Sequence, residues 1–242
     1  MGNTNPPHRR KRRPIRVILS ALLLVACGCA GGDYARHYRV ERYLDAIRDD
    51  PVRLEAFVRD MPKGADCHTH LSGVPDAESY LRWAAEDGLC VRTADGALEP
   101  PPCGPGLLPA AELIRDEALY DRTVDRLSMR NVPAVPPRYG HDHFFAVFNL
   151  FRAVSGARRS DMLAEAAAKA VRDNTDYLEL LLTLQSEPLG ALADSAPWSG
   201  DLETEYRTLL PGVRNLLAAG RAEVDAVLAG QRTILGCDGP HP

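Results

Sequence analysis

The most constraining feature of the chain is a pair of histidines at the end of a short extended segment. Residues 61–73 read Met-Pro-Lys-Gly-Ala-Asp-Cys-His-Thr-His-Leu-Ser-Gly. Alternate side chains of a β-strand lie on the same face, so His68 and His70 point to one side with their Cα atoms about 7 Å apart. This spacing suits two imidazoles that bind one metal ion, and it also suits a hydrogen-bonded histidine pair in a core. The surrounding sequence has to decide between these two interpretations.

That segment resembles the first strand of the adenosine deaminase family of metal-dependent hydrolases. The residues that carry the resemblance are Pro62, Lys63, His68, His70, Leu71 and Gly73. Two later segments are similar to the same family and follow in the family's order. Asp142-His143-Phe144-Phe145, with Phe148, resembles the phenylalanine-rich helix over the substrate pocket, and residues 176–180 resemble the second barrel strand. The chain differs from many members at Ser72, where they have an Asp that contacts the nucleoside sugar.

The resemblance covers residues from about 60 to 185 and carries expectations about fold, site and activity. It implies an α/β fold, namely the N-terminal half of an incomplete TIM (β/α)8 barrel with helical insertions. It implies that His68 and His70 bind zinc and that Phe145 and Phe148 bind the substrate. The implied reaction is the hydrolytic deamination of a purine nucleoside, adenosine to inosine plus ammonia. The implied partner is therefore a small-molecule purine nucleoside.

Other residues that the family uses have no match in the sequence. Members complete the site with a third metal-binding His, a Glu proton donor, a further catalytic His and a metal-binding Asp, all in the second half of the barrel. After residue 143 this chain has only His241. A complete barrel needs roughly 250 residues. We therefore expect a truncated chain that is inactive or nearly so alone, and we assign no catalytic residue.

Two alternative functions are compatible with the same motif. One is another amidohydrolase-type metal hydrolase that shares the His-x-His strand. The other is a non-catalytic lipoprotein of the cell envelope that uses its helical insertions for binding.

The N-terminus is typical of a bacterial lipoprotein signal peptide that covers residues 1–26. Six basic residues precede an apolar run over residues 17–26, and Leu24-Val25-Ala26-Cys27 resembles a lipobox with Cys27 as the acylated residue. The apolar run is too short to span a bilayer as a mature helix. We expect a protein that a lipid anchors to a membrane of the cell envelope, on the periplasmic or extracellular face. The alternative is a basic tail that binds nucleic acid.

The charge of the mature chain argues against that alternative. Cleavage before Cys27 removes six of the 29 Lys and Arg residues and none of the 33 Asp and Glu residues, which leaves a formal charge of −10. A surface with this charge repels polyanions, so we do not expect a nucleic-acid polymer as a partner.

The cysteines fit export to an oxidising compartment. Cys90 and Cys103 flank a segment with Asp95-Gly96 at its centre, a typical hairpin turn. A disulfide between these two cysteines would close the hairpin. A zinc site built from cysteines is not indicated, because the chain has no Cys-x-x-Cys pair. The same absence excludes the zinc site of cytidine deaminases.

The periodicity of apolar residues predicts a mainly helical chain around these landmarks. We expect a helical N-terminal segment over residues 27–60 and a partial barrel domain over 61–242. Within them the pattern predicts helices at 34–49, 51–60, 76–87, 109–127, 141–154, 160–172 and 202–228, with Ser160 as a cap and an interruption at Pro211-Gly212, and a strand at 175–184.

Two further groups of polar residues are poor candidates for the site. His141 and His143 lie where a helix is expected, and residues two apart on a helix point about 200° apart, so joint ligation is not expected. Glu179 lies in the second strand, where it can face a neighbouring helix as well as a pocket. We leave both groups out of the candidate site.

Overall fold

The computed structural model describes residues 35–133, 137–196 and 198–239. Residues 1–26, predicted to be a signal peptide, and Cys27 therefore lie outside the described residues. The chain divides into two compact units, one up to Met61 and one from Pro62 onwards. Among the described residues, no helix is both long enough and apolar enough to cross a membrane.

The described residues of the first unit, 35–61, form two helices, as the sequence predicts. Helix α1 covers 35–47 and α2 covers Pro51–Asp60. The carboxylate of Asp50 accepts a hydrogen bond from the backbone N–H of Arg53 and so caps α2, whose first residue is Pro51. The rings of Tyr43 and Phe57 pack with their centroids 5.7 Å apart.

The second unit contains a mixture of helices, a two-stranded sheet and a three-stranded sheet. In chain order its elements are β1 Gly64–His70, α3 Ala77–Glu86, β2 Cys90–Arg92, β3 Leu98–Glu99, β4 Leu107–Pro109, α4 Ala110–Leu113, α5 Glu117–Leu127, α6 Pro137–Leu150, α7 Arg152–Ser155, α8 Arg159–Arg172, β5 Thr175–Leu181, α9 Ser186–Asp194 and α10 Leu202–Ile234. A short 3-10 turn, Leu71–Gly73, follows β1.

The two strands that carry the family resemblance pair with each other. Strand β1 pairs with β5 in parallel, with Thr69 opposite Leu180 and His70 opposite Leu181. No residue of either strand is fully buried. The described residues therefore form an α/β fold with a small parallel sheet, and they contain no closed barrel.

The region between these strands has its own sheet. Strands β2 and β3 form an antiparallel hairpin, and β4 pairs with the other edge of β2. Gly96 adopts φ +83° in the hairpin turn, a conformation that favours glycine. A disulfide joins Cys90 to Cys103, with the Cα atoms 5.5 Å apart.

The core lies beside this second sheet. Its largest fully buried side chains come from α3, β2, α4, α5, α7 and α8, and they include Tyr80, Leu81, Val91, Leu113, Val124, Val154 and Met162. Tyr80 stacks on Phe151 with ring centroids 4.2 Å apart and meets Trp83 edge to face.

Several predicted element boundaries are wrong. The helix expected at 109–127 is a strand end followed by two helices, because Asp116 caps a new helix by accepting from the N–H of Leu119. The phenylalanine helix begins no later than Pro137 and ends at Leu150. Residues 186–194 form a helix that we did not predict.

Ser160 and Pro211 also behave differently from expectation. Arg158 is the N-cap of α8, and the hydroxyl of Ser160 donates to the carbonyl oxygen of Val227 instead. Helix α10 continues through Pro211 without interruption. Gly212 lies so close to Leu192 that a Cβ atom would be 2.5 Å from it, so α9 packs tightly on α10 next to the proline.

Candidate metal centre

The two histidines of β1 lie on the same side of the strand, as the alternation predicts. Their ring centroids are 5.5 Å apart and their planes are inclined by 69°. Both side chains are exposed, whereas Thr69 between them is half-buried. His70 is the last residue of β1, so it lies at the carboxyl end of the parallel strand pair.

A local irregularity in β1 includes the first histidine of the pair, His68. Between Asp66 and Thr69, β1 advances three residues while β5 advances two, from Leu178 to Leu180, so β1 carries one extra residue. The N–H of His68 donates to the carboxylate of Asp66 at 3.2 Å. The Asp66 side chain thus takes a backbone donor that a regular ladder would use, and it stabilises a bulge.

Asp66 is a residue of the site that sequence reasoning missed. Its carboxylate also accepts from the Thr69 hydroxyl at 2.5 Å. The hydrogen bond from Thr69, followed by the one from the His68 N–H, holds the pKa of Asp66 below its ordinary value. The Asp-x-His-Thr spacing is the signal that could have identified it, because Asp side chains often accept from the N–H two residues later.

A cavity of about 800 Å3 opens at the carboxyl ends of both strands. Its wall includes His70 and the turn that follows, the aromatic residues Phe148 and Phe151, and the end of β5 with the start of α9. The side chain of Phe148 lies under Gly73, where a Cβ atom would be 3.6 Å from the phenylalanine ring. The cavity therefore combines an imidazole at one wall with an aromatic surface at another.

The two phenylalanines predicted to bind substrate lie in different places. Phe148 lines the cavity with His70. Phe145 is 59% exposed and packs against the rings of His141 and Phe144, and it does not line that cavity. The helix presents successive residues about 100° apart, so two positions three residues apart share a face only in part.

The second His-x-His does not form a joint site. His143 contacts the carbonyl oxygen of Ser128 through Nε2 at 2.8 Å and stacks on Tyr139. His141 contacts the carboxylate of Asp142 through Nδ1 at 3.0 Å. The two imidazoles therefore have different neighbours, as their helical spacing predicts.

The loop after β5 is held by a half-buried ion pair on the far wall of the cavity. Arg159 forms an ion pair with Glu223 of α10. The other carboxylate oxygen of Glu223 accepts from the side-chain amide of Gln185 at 2.8 Å. Gln185 precedes α9 and has a left-handed backbone with φ +50°. These contacts fix the position of the loop.

The ligand set available to a metal is small. Within residues 35–133, 137–196 and 198–239, no three His, Cys, Asp or Glu side chains are grouped so that they could hold a metal ion. Cys67 and Cys237 are exposed free thiols. Glu179 accepts from the hydroxyl of Tyr177 at 3.0 Å. The pair His68 and His70 remains as the candidate centre.

Comparison with known proteins does not identify a relative. No protein-family model matches the chain, and neither the curated proteins nor the solved structures contain a significant match.

Proposed function

We propose that the chain is part of a zinc-dependent aminohydrolase that converts adenosine, or a related purine nucleoside, to the inosine-type product and ammonia. The observation that carries the proposal is the placement of His70, paired with His68, at the carboxyl end of a parallel strand and on the wall of a cavity of about 800 Å3 that Phe148 and Phe151 also line. Active sites of (β/α)8 barrels lie at this end of their strands.

We also propose that β1 and β5 are the first two strands of such a barrel. Its support is their parallel pairing, with helices between them in sequence and another helix, α9, after β5. The insertion with β2, β3 and β4 then lies between the first strand and the helix that precedes the second.

The spacing of the histidine pair supports zinc as the proposed metal. Two imidazoles that bind one zinc ion through nitrogens about 2 Å away, at the tetrahedral angle, have ring centres about 5 Å apart. The separation of 5.5 Å is close to this value without any movement of the backbone. When bound, zinc supplies a water molecule that ionises near neutral pH. His68 and His70 would hold the ion, and the strand and its bulge would orient the two rings.

Phe148 is the residue that we propose to contact the purine. Aromatic side chains stack on bases, and such contacts are worth about 1–3 kcal/mol per base. Ser72, which also lines the cavity, is a neutral hydrogen-bonding group where many adenosine deaminase relatives have an Asp. The hydroxyl can bind a ribose oxygen as donor or acceptor, whereas a carboxylate can only accept.

Zinc titration of the 242-residue chain tests the metal site. We expect weak binding, because two imidazoles are fewer than the three protein ligands of a catalytic site. His68→Ala and His70→Ala should each remove measurable binding, while the double variant His141→Ala/His143→Ala should leave it unchanged. Equal affinity in all these variants would overturn the proposed metal site.

Adenosine binding and turnover test the reaction. Ammonia release should be absent or nearly so from the 242-residue chain, whereas a version extended through a full barrel should release ammonia when zinc is present. Phe148→Ala should weaken nucleoside binding about tenfold or more, the loss of one base stack. Phe145→Ala is the matched control. A larger effect of Phe145→Ala, or purine-independent turnover of another amide substrate, would favour a different metal hydrolase.

The proposal includes a lipid anchor at Cys27. Its support is the basic segment, the short apolar run and the lipobox in the sequence. In a bacterial host the protein should be processed and recovered with the membranes. Cys27→Ala should block both, and unchanged processing of that variant would exclude the anchor.

A further inference from the structure

The turn that follows His70 is held by side chains from α8, which is distant in the sequence, and from α3, which begins at Ala77 directly after the turn. His70 is the N-cap of the 3-10 turn, and the chain then runs through Val74 to Asp76, the N-cap of α3. Neither cap position has a side-chain capping bond of its own. The contacts that fix this segment therefore come from elsewhere in the fold.

Helix α8 supplies a lysine and a glutamate to the turn. The ammonium group of Lys169 donates to the carbonyl oxygen of Val74 and to the carboxylate of Asp76, each at 2.7 Å. Glu165 accepts from the backbone N–H of Asp76 at 3.0 Å and lies 3.2 Å from the Lys169 ammonium. The three side chains and the turn form one closed network.

Helix α3 supplies a tyrosine. The hydroxyl of Tyr80 donates to the carbonyl oxygen of Ser72 at 2.8 Å and lies 3.2 Å from the sulfur of Met162. Burial raises the pKa of Tyr80, and the negative charge of Glu165 raises it further, so the hydroxyl remains a donor at any physiological pH. The ring stacks on Phe151, which lines the cavity.

Burying the charged groups of this network costs free energy of desolvation, which an apolar contact at the same place would avoid. The side chains of Lys169 and Glu165 are only 17% and 16% exposed, so both charges lose much of their hydration. Apolar residues of similar size often stabilise such a position as well or better. Unlike apolar contacts, hydrogen bonds are directional. These donors and acceptors are paired in this one conformation of the turn, so the network specifies that conformation.

We propose that Lys169 and Glu165 are positioning residues for the metal ligand His70. They act through the backbone of residues 71–76 and fix the orientation in which the imidazole leaves the strand. This inference rests on the proposed function, since it assigns the network to the same metal site. The ammonium group of Lys169 hydrogen-bonds to Val74 and Asp76 of the turn, so its effect on His70 is indirect.

Cobalt binding to the 242-residue chain tests the proposal, because the visible spectrum of Co2+ reports coordination geometry as well as affinity. Lys169→Met should weaken binding about tenfold, the lower end of the range for residues that orient a ligand, and change the spectrum. Lys169→Arg should recover much of the affinity. If Lys169→Met does not fold, the variant Lys169→Met/Glu165→Gln, which removes the unpaired charge, replaces it.

Arg158→Met provides the matched control. Arg158 is 20% exposed and ties α8 to α3 through Asp87 and Glu86, away from the turn. Its loss should lower the melting temperature while the cobalt affinity of the folded protein stays the same. A loss of affinity in both variants would mean that stability alone is responsible, and it would overturn the positioning role.

His68→Ala separates the two proposals. If it abolishes cobalt binding and Lys169→Met leaves affinity and spectrum unchanged, the positioning role is wrong and the metal site stands. If His68→Ala leaves binding unchanged, the metal site is wrong and the positioning role falls with it.

Discussion

The strand pair and the lobe inserted between its two strands differ sharply in burial. The lobe, Ala77–Leu127, contributes fully buried residues from α3, β2, α4 and α5 and is cross-linked by a disulfide. The strand pair, β1 and β5, has no fully buried residue and carries the histidines. The lobe thus provides stability, while the strand pair keeps polar ligands accessible to a cavity. Functional groups are commonly placed in the less stable parts of a protein.

The largest difference between the two regions should appear when a leucine is truncated in each. Leu113 of α4 is fully buried, and Leu181 of β5 is 38% exposed. Leu113→Ala should lower the free energy of unfolding by about 3 kcal/mol, from lost transfer energy and the cavity that remains. Leu181→Ala should cost about 1 kcal/mol or less, because much of its surface is already in water.

Urea denaturation of the two variants measures both values. Equal decreases in the free energy of unfolding would show that the strand pair is packed as tightly as the lobe, which would contradict the difference in burial between them.

The disulfide of the lobe should have the next largest effect. It joins Cys90 and Cys103, which are 13 positions apart in the sequence. Cys90→Ala/Cys103→Ala should lower the free energy of unfolding by about 3 kcal/mol, mainly because the unfolded chain gains freedom. Cys67→Ala, in the strand pair, removes an exposed free thiol and should be neutral.

Thermal unfolding with and without a reducing agent checks this prediction. The wild-type protein and Cys67→Ala should lose stability on reduction, and the double variant should not respond. If the double variant also lost thermal stability on reduction, the Cys90–Cys103 disulfide would not be the source of the effect.

How much of this arrangement could be predicted from the sequence depends on whether the signal was local. The helix Pro51–Asp60 and the hairpin around Gly96 were predicted correctly, because a proline after Asp50 and an Asp-Gly turn determine the backbone directly. The proximity of the His68 and His70 rings agrees with strand alternation, whereas the bulge between Asp66 and Thr69, which includes His68, was not predicted.

The errors arose where tertiary contacts override local propensity. Pro211 should weaken a helix, yet α10 continues through it where Gly212 packs against Leu192 of α9. Ser160 is a good capping residue, but its hydroxyl bonds to α10 instead. The Lys169 network joins residues more than 90 positions apart, so no sequence window could reveal it.

Tyr80 connects the lobe to the turn that follows β1, and the loss of its hydroxyl should have a moderate effect on stability. Tyr80→Phe keeps the ring stacked on Phe151 but removes the hydrogen bond to Ser72. The free energy of unfolding should fall by about 1 kcal/mol, the usual net value of one hydrogen bond. Urea denaturation measures the loss, and cobalt affinity should also fall slightly, because the turn after His70 loses one of its restraints. A loss above about 3 kcal/mol would mean that the hydroxyl has a role beyond this single bond.

The smallest effect should come from the exposed hydrogen bonds of Asp66. Because the folded pKa is lowered, ionised Asp66 adds stability above its ordinary pKa of 3.8, and this is lost as pH falls through the lower folded value. Thr69→Val removes the strongest donor, so an NMR titration should show the pKa of Asp66 rising towards 3.8. Asp201 accepts from Thr204 in the same i,i+3 arrangement on α10, and its own lowered pKa should not move in that variant. An unchanged Asp66 would mean that the His68 N–H alone holds the carboxylate, and that the bulge in β1 does not need the threonine.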